Sequence, residues 1–183
     1  LGRSFSREVL AEALRTEGQA PDDATLQRLA EFIEPEGDGR LRFRSDVICD
    51  TTYQAVSYQL RRRLHRHIGA TLERLAPDAE AVAETLALHY ARADDHARAW
   101  HYARRAGHRA AERYANAEAA RFYTLALEAA GQQSSVAVEE QIDVLNRLGS
   151  VNERAGLLEA SLDAYRRALR IAHGDPVSQA DLL

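Results

Sequence analysis

Gly107 and Gly149 each stand inside a stretch whose apolar residues recur at intervals of three and four. An interior glycine costs a helix about 1 kcal/mol against alanine, so its presence there needs a packing reason. The neighbours supply one. Leu145, Leu148, Gly149, Asn152, Ser161, Tyr165 and Ala168 in the second stretch, which also holds Gly156 and Pro176, fall in the same frame as Ala103, Ala106, Gly107, Ala110, Ala119, Tyr123 and Ala126 in the first. Small residues fall where two helices would touch, and an aromatic or aliphatic residue fills the space beside each contact. The chain is thus expected to be all-α over most of its length, built from helical hairpins.

The two frames are 42 residues apart, with the polar stretch Gly131-Gln132-Gln133-Ser134-Ser135 between them. With Gly149 at position eight of a tetratricopeptide (TPR) unit, Leu145, Leu148, Ser161, Tyr165 and Ala168 fall at positions four, seven, twenty, twenty-four and twenty-seven. Such hairpins stack into a curved array. A third, degenerate pair is expected from Leu60–Leu75 with Asp78–Arg92, Ala83 and Ala87 taking the small positions. In this frame His101, Arg104, His108 and Glu112 line a groove from one repeat, and Asp143, Asn146, Ser150 and Glu153 from the next. The lining is mixed and polar, which suits a protein or peptide segment. The end of the array is expected to expose Leu157, Leu158, Leu162 and Leu169 and to drive homodimerisation.

The first part of the chain reads differently. Ser6 is placed to cap a helix, with Phe5 and Leu10 at staple spacing and Val9, Leu10, Ala13 and Leu14 on one face. Gly18 and Pro21 end it. Asp22 or Asp23 then caps a second helix carrying Leu26, Leu29, Ala30 and Ile33. Glu34-Pro35-Glu36-Gly37-Asp38-Gly39 reads as a turn-rich hinge, and Leu41-Arg42-Phe43-Arg44 alternates as a half-exposed strand does. Helix, helix and short β-hairpin suggest a small winged-helix-like unit over residues 1–45. Connecting hairpins follow over 46–93, in which Val47, Ile48, Thr52, Tyr53, Val56 and Leu60 supply one helix and Leu64, Ile68, Leu72 and Leu75 the next. Asp78 is expected to cap a third, and TPR-like repeats of a truncated array occupy 94–183.

Composition excludes several chemistries. All 24 basic residues are Arg, and without lysine the chain supplies neither the P-loop nor the protein-kinase lysine, nor a Schiff-base amine. Cys49 is the only cysteine, so no internal disulfide forms. No stretch approaches the roughly 18 apolar residues of a membrane helix. A cytoplasmic setting is expected. The lack of Met, the start at Leu1-Gly2-Arg3 and the end at Asp181-Leu182-Leu183 read as marks of a segment cut from a longer protein.

Charge is uneven. Residues 1–39 carry 4 Arg against 9 Asp and Glu, and residues 40–74 carry 8 against 3. Arg61, Arg62, Arg63 and Arg66 form the densest basic patch, and with the winged-helix-like unit they define the alternative reading, a nucleic-acid-binding module. The acidic start and the net charge of −4 disfavour it. The seven His residues do not fall at a usual zinc spacing, and no G-x-S-x-G occurs. No catalytic, cofactor-binding or metal-binding residue is therefore expected within the segment.

Phe43-Arg44-Ser45-Asp46-Val47-Ile48-Cys49-Asp50-Thr51-Thr52-Tyr53, then Arg61-Arg62-Arg63-Leu64-His65-Arg66-His67-Ile68 and Leu72-Glu73, resemble a stretch of bacterial STAND-type ATPases, multidomain regulators linked to adenylate or guanylate cyclase domains or to LuxR-type DNA-binding domains. His89-Tyr90, Arg105-Ala106-Gly107 and Ala115-Asn116-Ala117-Glu118-Ala119 are similar to later motifs of that family. Ser45 stands where it usually has His, and Cys49 where it usually has Arg. The resemblance implies a regulatory arm C-terminal to an ATPase domain that binds ATP elsewhere in the parent chain. Its partners would be that nucleotide-binding domain and a protein segment in the groove, with no membrane.

Overall fold

The computed structural model describes residues 4–16 and 27–173. The chain is mostly helical, with one small antiparallel sheet near its start. It divides into two compact units, Leu1–Ala76 and Pro77–Leu183.

In the first unit, β1 (Ser4–Ser6) leads into α1 (Arg7–Thr16), α2 is helical over the described residues 27–29, and β2 (Ile33–Gly37) and β3 (Arg40–Phe43) form a hairpin. The sheet order is β1-β3-β2, antiparallel throughout, so the expected two-stranded hairpin gains a third strand. Ser6 caps α1 as its position suggests, its Oγ accepting from Val9 N at 3.4 Å. Ile33 does not continue the second helix; it opens β2 and is buried there, paired with Phe43. The expected hinge is accordingly half strand. Pro35 is tolerated because β2 is an edge, and the turn proper is Gly37-Asp38-Gly39, all at positive φ. Gly18, Pro21, Asp22, Asp23, Leu26 and Pro176 lie outside the described residues.

Two further helices complete this unit, α3 (Asp46–Ala55) and α4 (Tyr58–Leu75). The expected helix from Val47 to Leu60 is broken at Val56-Ser57, because the Ser57 hydroxyl accepts from Leu60 N and starts α4. Ile68, Leu72 and Leu75 of α4 pack on Val9 of α1, and Arg74 Nη2 meets Glu12 Oε1 at 2.5 Å. The packing places the unit boundary after Ala76, inside the 46–93 stretch expected to form a separate segment.

Over its described residues the second unit is a run of five helices: α5 (Ala83–Arg92), α6 (His96–Glu112), α7 (Asn116–Gly131), α8 (Val138–Arg154) and α9 (Leu158–Ala172). Each packs against the next. Asp78 does not cap α5. Its carboxylate accepts from Glu80 N at 2.9 Å, closing a turn that delays the helix to Ala83.

Three of the four connections are the same turn. Asp94, Tyr114 and Gly156 each have positive φ. The amide of the following residue reaches the carbonyl five back: Asp95 to Tyr90, Ala115 to Ala110, Leu157 to Asn152, at 2.9–3.0 Å. This double-bonded helix stop satisfies carbonyls that would otherwise be orphaned and reverses the chain within two or three residues. The expected third hairpin therefore changes membership: α5 turns directly into α6, whereas α4 packs on α1. Ala83 and Ala87 are fully buried.

Candidate functional site

The helix contacts place the polar residues. A β-carbon built on Gly107 would lie 2.6 Å from two ring carbons of Tyr123, and one on Gly149 would lie 2.6 Å from the Tyr165 ring. Each glycine thus lets a tyrosine from the second helix of a hairpin lie flat across the first. The Tyr123 ring is buried, and its hydroxyl emerges between α6 and α8. There it lies 2.8 Å from His108 Nδ1, within reach of the Arg147 charge. Arg147 Nε in turn donates to Asp143 Oδ2 at 2.8 Å.

The pairs His108–Tyr123 and Arg147–Asp143 form a row of polar side chains on α6, α7 and α8, close enough for the Arg147 and Asp143 charges to act on His108 and Tyr123. Arg104 extends it, bonding Glu140 Oε1 at 2.6 Å with its guanidinium 5.4 Å from the Trp100 ring centre. Arg154 closes the other end, donating to Ser150 Oγ at 3.1 Å and to Asn116 Oδ1 at 3.3 Å.

Electrostatics follow from this arrangement. Burial pushes the His108 pKa below its ordinary 6.5, and the Arg147 and Arg104 charges push the same way against Asp143 and Glu112. Burial raises the Tyr123 hydroxyl pKa, partly offset by the nearby charge of Arg147. The hydrogen bond to Asp143 holds the Arg147 guanidinium still more firmly protonated.

Of the eight groove residues expected from sequence, Arg104, His108, Asp143 and Ser150 enter this row, and Glu112 acts on it through its charge. His101 is exposed, its ring edge against Tyr102 and its Nε2 3.3 Å from Arg105. Asn146 and Glu153 are exposed on α8. The residues that sequence reasoning missed are the connectors, Tyr123, Glu140, Arg147 and Arg154. Tyr123 was assigned to packing, and the ring does pack; its hydroxyl has a second role that only the neighbouring helix register reveals.

The basic patch does not converge. Arg61 lies 5.0 Å from the Tyr53 ring centre and Arg62 5.6 Å from that of Tyr58, while Arg63 and Arg66 are exposed. His65 is buried, its Nε2 3.0 Å from the Tyr53 hydroxyl. An open cleft of about 440 Å³ lies between α5 and α7, floored by Leu88, Phe122 and Leu125 and flanked by Arg121 and Glu128. Among the described residues no group of three or more His, Cys, Asp and Glu is placed to hold a metal ion, and no helix is long and apolar enough to cross a membrane.

Comparison with family models, curated proteins and solved structures finds no match to this chain.

Proposed function

We propose that this chain is a non-catalytic protein-interaction and signal-relay segment of a larger signalling ATPase of the STAND type, linked to adenylate cyclase or to a LuxR-type transcriptional output, and working in the cytoplasm. In this reading the first unit is winged-helix-like and the second a TPR-like array. The observation that carries it is the repeated hairpin: the same turn three times, and the same glycine-under-tyrosine contact at Gly107 and Gly149. Arrays of this kind present the first helices of their hairpins as a continuous recognition face. Here that face is the polar row on α6 and α8, with His101, Asn146 and Glu153 exposed beside it.

The mechanism is mechanical. A protein segment lying on the row competes for Arg104, Arg147 and Asp143, changes how α6 and α8 are tied together, and the first unit passes the change to an ATP-binding domain of the parent chain. The nucleic-acid alternative is less well supported, because Arg61 and Arg62 face two different tyrosines and present no common phosphate site.

The test is nucleotide turnover by the parent ATPase with this segment intact, deleted, or carrying Arg147→Ala with Asp143→Ala. Altered turnover in both variants is expected. Turnover unchanged by deletion would sink the relay reading, and salt-sensitive binding of duplex DNA lost on Arg61→Ala, Arg62→Ala and Arg63→Ala would favour the alternative.

A further inference from the structure

Helix α9 turns Ser161, Ala164 and Ala168 inward and leaves Leu158, Leu162 and Leu169 on one outer flank, 63, 52 and 60% exposed, with Tyr165 half-buried among them. These four residues follow at intervals of four, three and four. That is the seam along which one helix packs lengthwise on another.

The repeat shows what such a flank does. The residues 42 positions earlier than Tyr165 and Leu169 are Tyr123 and Leu127, both buried, and α7 packs there against α8. A helix covers on α7 the flank that no described residue covers on α9.

Charge selects the occupant. The first half of α9 carries Glu159 and Asp163, the second half Arg166, Arg167 and Arg170. A parallel copy would set acid beside acid and base beside base. An antiparallel copy sets Leu158 opposite Leu169 and Leu162 opposite Tyr165, and brings Glu159 of each copy beside Arg166 of the other, both bordering the seam on its solvent side. Such a surface is complementary to itself, which is what a two-fold contact requires.

We infer that this protein forms a two-fold dimer through antiparallel pairing of α9 with α9 of a second copy. The contact is one helix long, about 22 Å, and belongs to the small end of specific interfaces, so the dimer is concentration-dependent. It is independent of what the polar row binds.

Sedimentation equilibrium of the whole chain, from about 1 to about 200 µM, tests it. The expected mass rises from the 20.4 kDa monomer toward twice that value. Leu162→Arg is expected to stay monomeric, with circular dichroism confirming its helices. Glu159→Arg is expected to weaken the dimer about tenfold, and Glu159→Arg with Arg166→Glu to restore it. Both charged positions are exposed, so this pair carries the test if Leu162→Arg fails to fold. A wild-type chain that stays monomeric, a dimer that survives Leu162→Arg, or a double exchange that does not restore pairing would each overturn the proposal.

Discussion

Gly107 and Gly149 make the same close contact, yet their surroundings differ. Tyr123 is 1% exposed and held by His108, so its ring cannot retreat from an added methyl; Tyr165 is half-buried and can swing outward. Alanine gains about 1 kcal/mol of helix propensity at either position. Overpacking costs typically 1–3 kcal/mol where the neighbour is fixed. Gly107→Ala is expected to destabilise by up to about 2 kcal/mol in urea unfolding, and Gly149→Ala to be near neutral. His108 provides the second residue-scale outcome. Its folded pKa lies below the unfolded value near 6.5, so as pH falls through 6.5 the unfolded chain binds the proton first and stability declines, levelling only below the folded pKa. His108→Gln should remove that acid-side loss, measured as Tm against pH between about 5 and 8. The two glycines were legible in the sequence because a mid-helix glycine has a local penalty that demands an explanation. The polar row was legible only by half. Periodicity finds residues on one face of one helix, but the His108–Tyr123 and Arg104–Glu140 contacts depend on how α6, α7 and α8 are registered against one another.

At the scale of elements, the three identical turns carry different residues at their left-handed position. Gly156 adopts φ +77 without strain, whereas Tyr114 at +60 pays the left-handed penalty of about 1 kcal/mol with its ring 80% exposed. Tyr114→Gly is therefore expected to stabilise by up to about 0.5 kcal/mol, after allowing for the greater freedom glycine gives the unfolded chain, and Gly156→Ala to destabilise by about 1 kcal/mol or more. Equilibrium denaturation of the two variants checks both signs together. The elements that the sequence misassigned fail for related reasons. Ile33 fits a four-residue helical spacing with Leu29, but it also pairs with Phe43, and tertiary pairing decided its state. Asp78 has the chemistry of a cap and uses it two residues on, in a turn. The helix that was expected to run from Val47 to Leu60 carries no defect in its apolar spacing; the break comes from the Ser57 hydroxyl, which competes for the backbone.

For the whole molecule, boundaries follow packing and not local pattern. The helix, helix and hairpin pattern suggested a division after residue 45, yet Ile68, Leu72 and Leu75 pack on Val9 and hold α1 and α4 in the same unit. Within the second unit each helix is packed mainly on its sequence neighbours, and a structure of that kind has stability close to a sum of local terms. Leu145 tests this. It is fully buried at the centre of α8, and Leu145→Ala is expected to cost about 2–5 kcal/mol at the site. In a nearest-neighbour array the loss spreads outward and fades. Hydrogen exchange should quicken most in α8 and α9, less in α7, and least in α5, which is three helices away along the chain. Equal loss of protection from α5 to α9 would mean that the five helices open as one cooperative unit, and the stacked-repeat reading would then fail even though every turn and glycine contact remained in place. The gradient matters for function as well. Under the proposed relay, helices that open separately would let a segment on α6 and α8 change their packing without unfolding the rest.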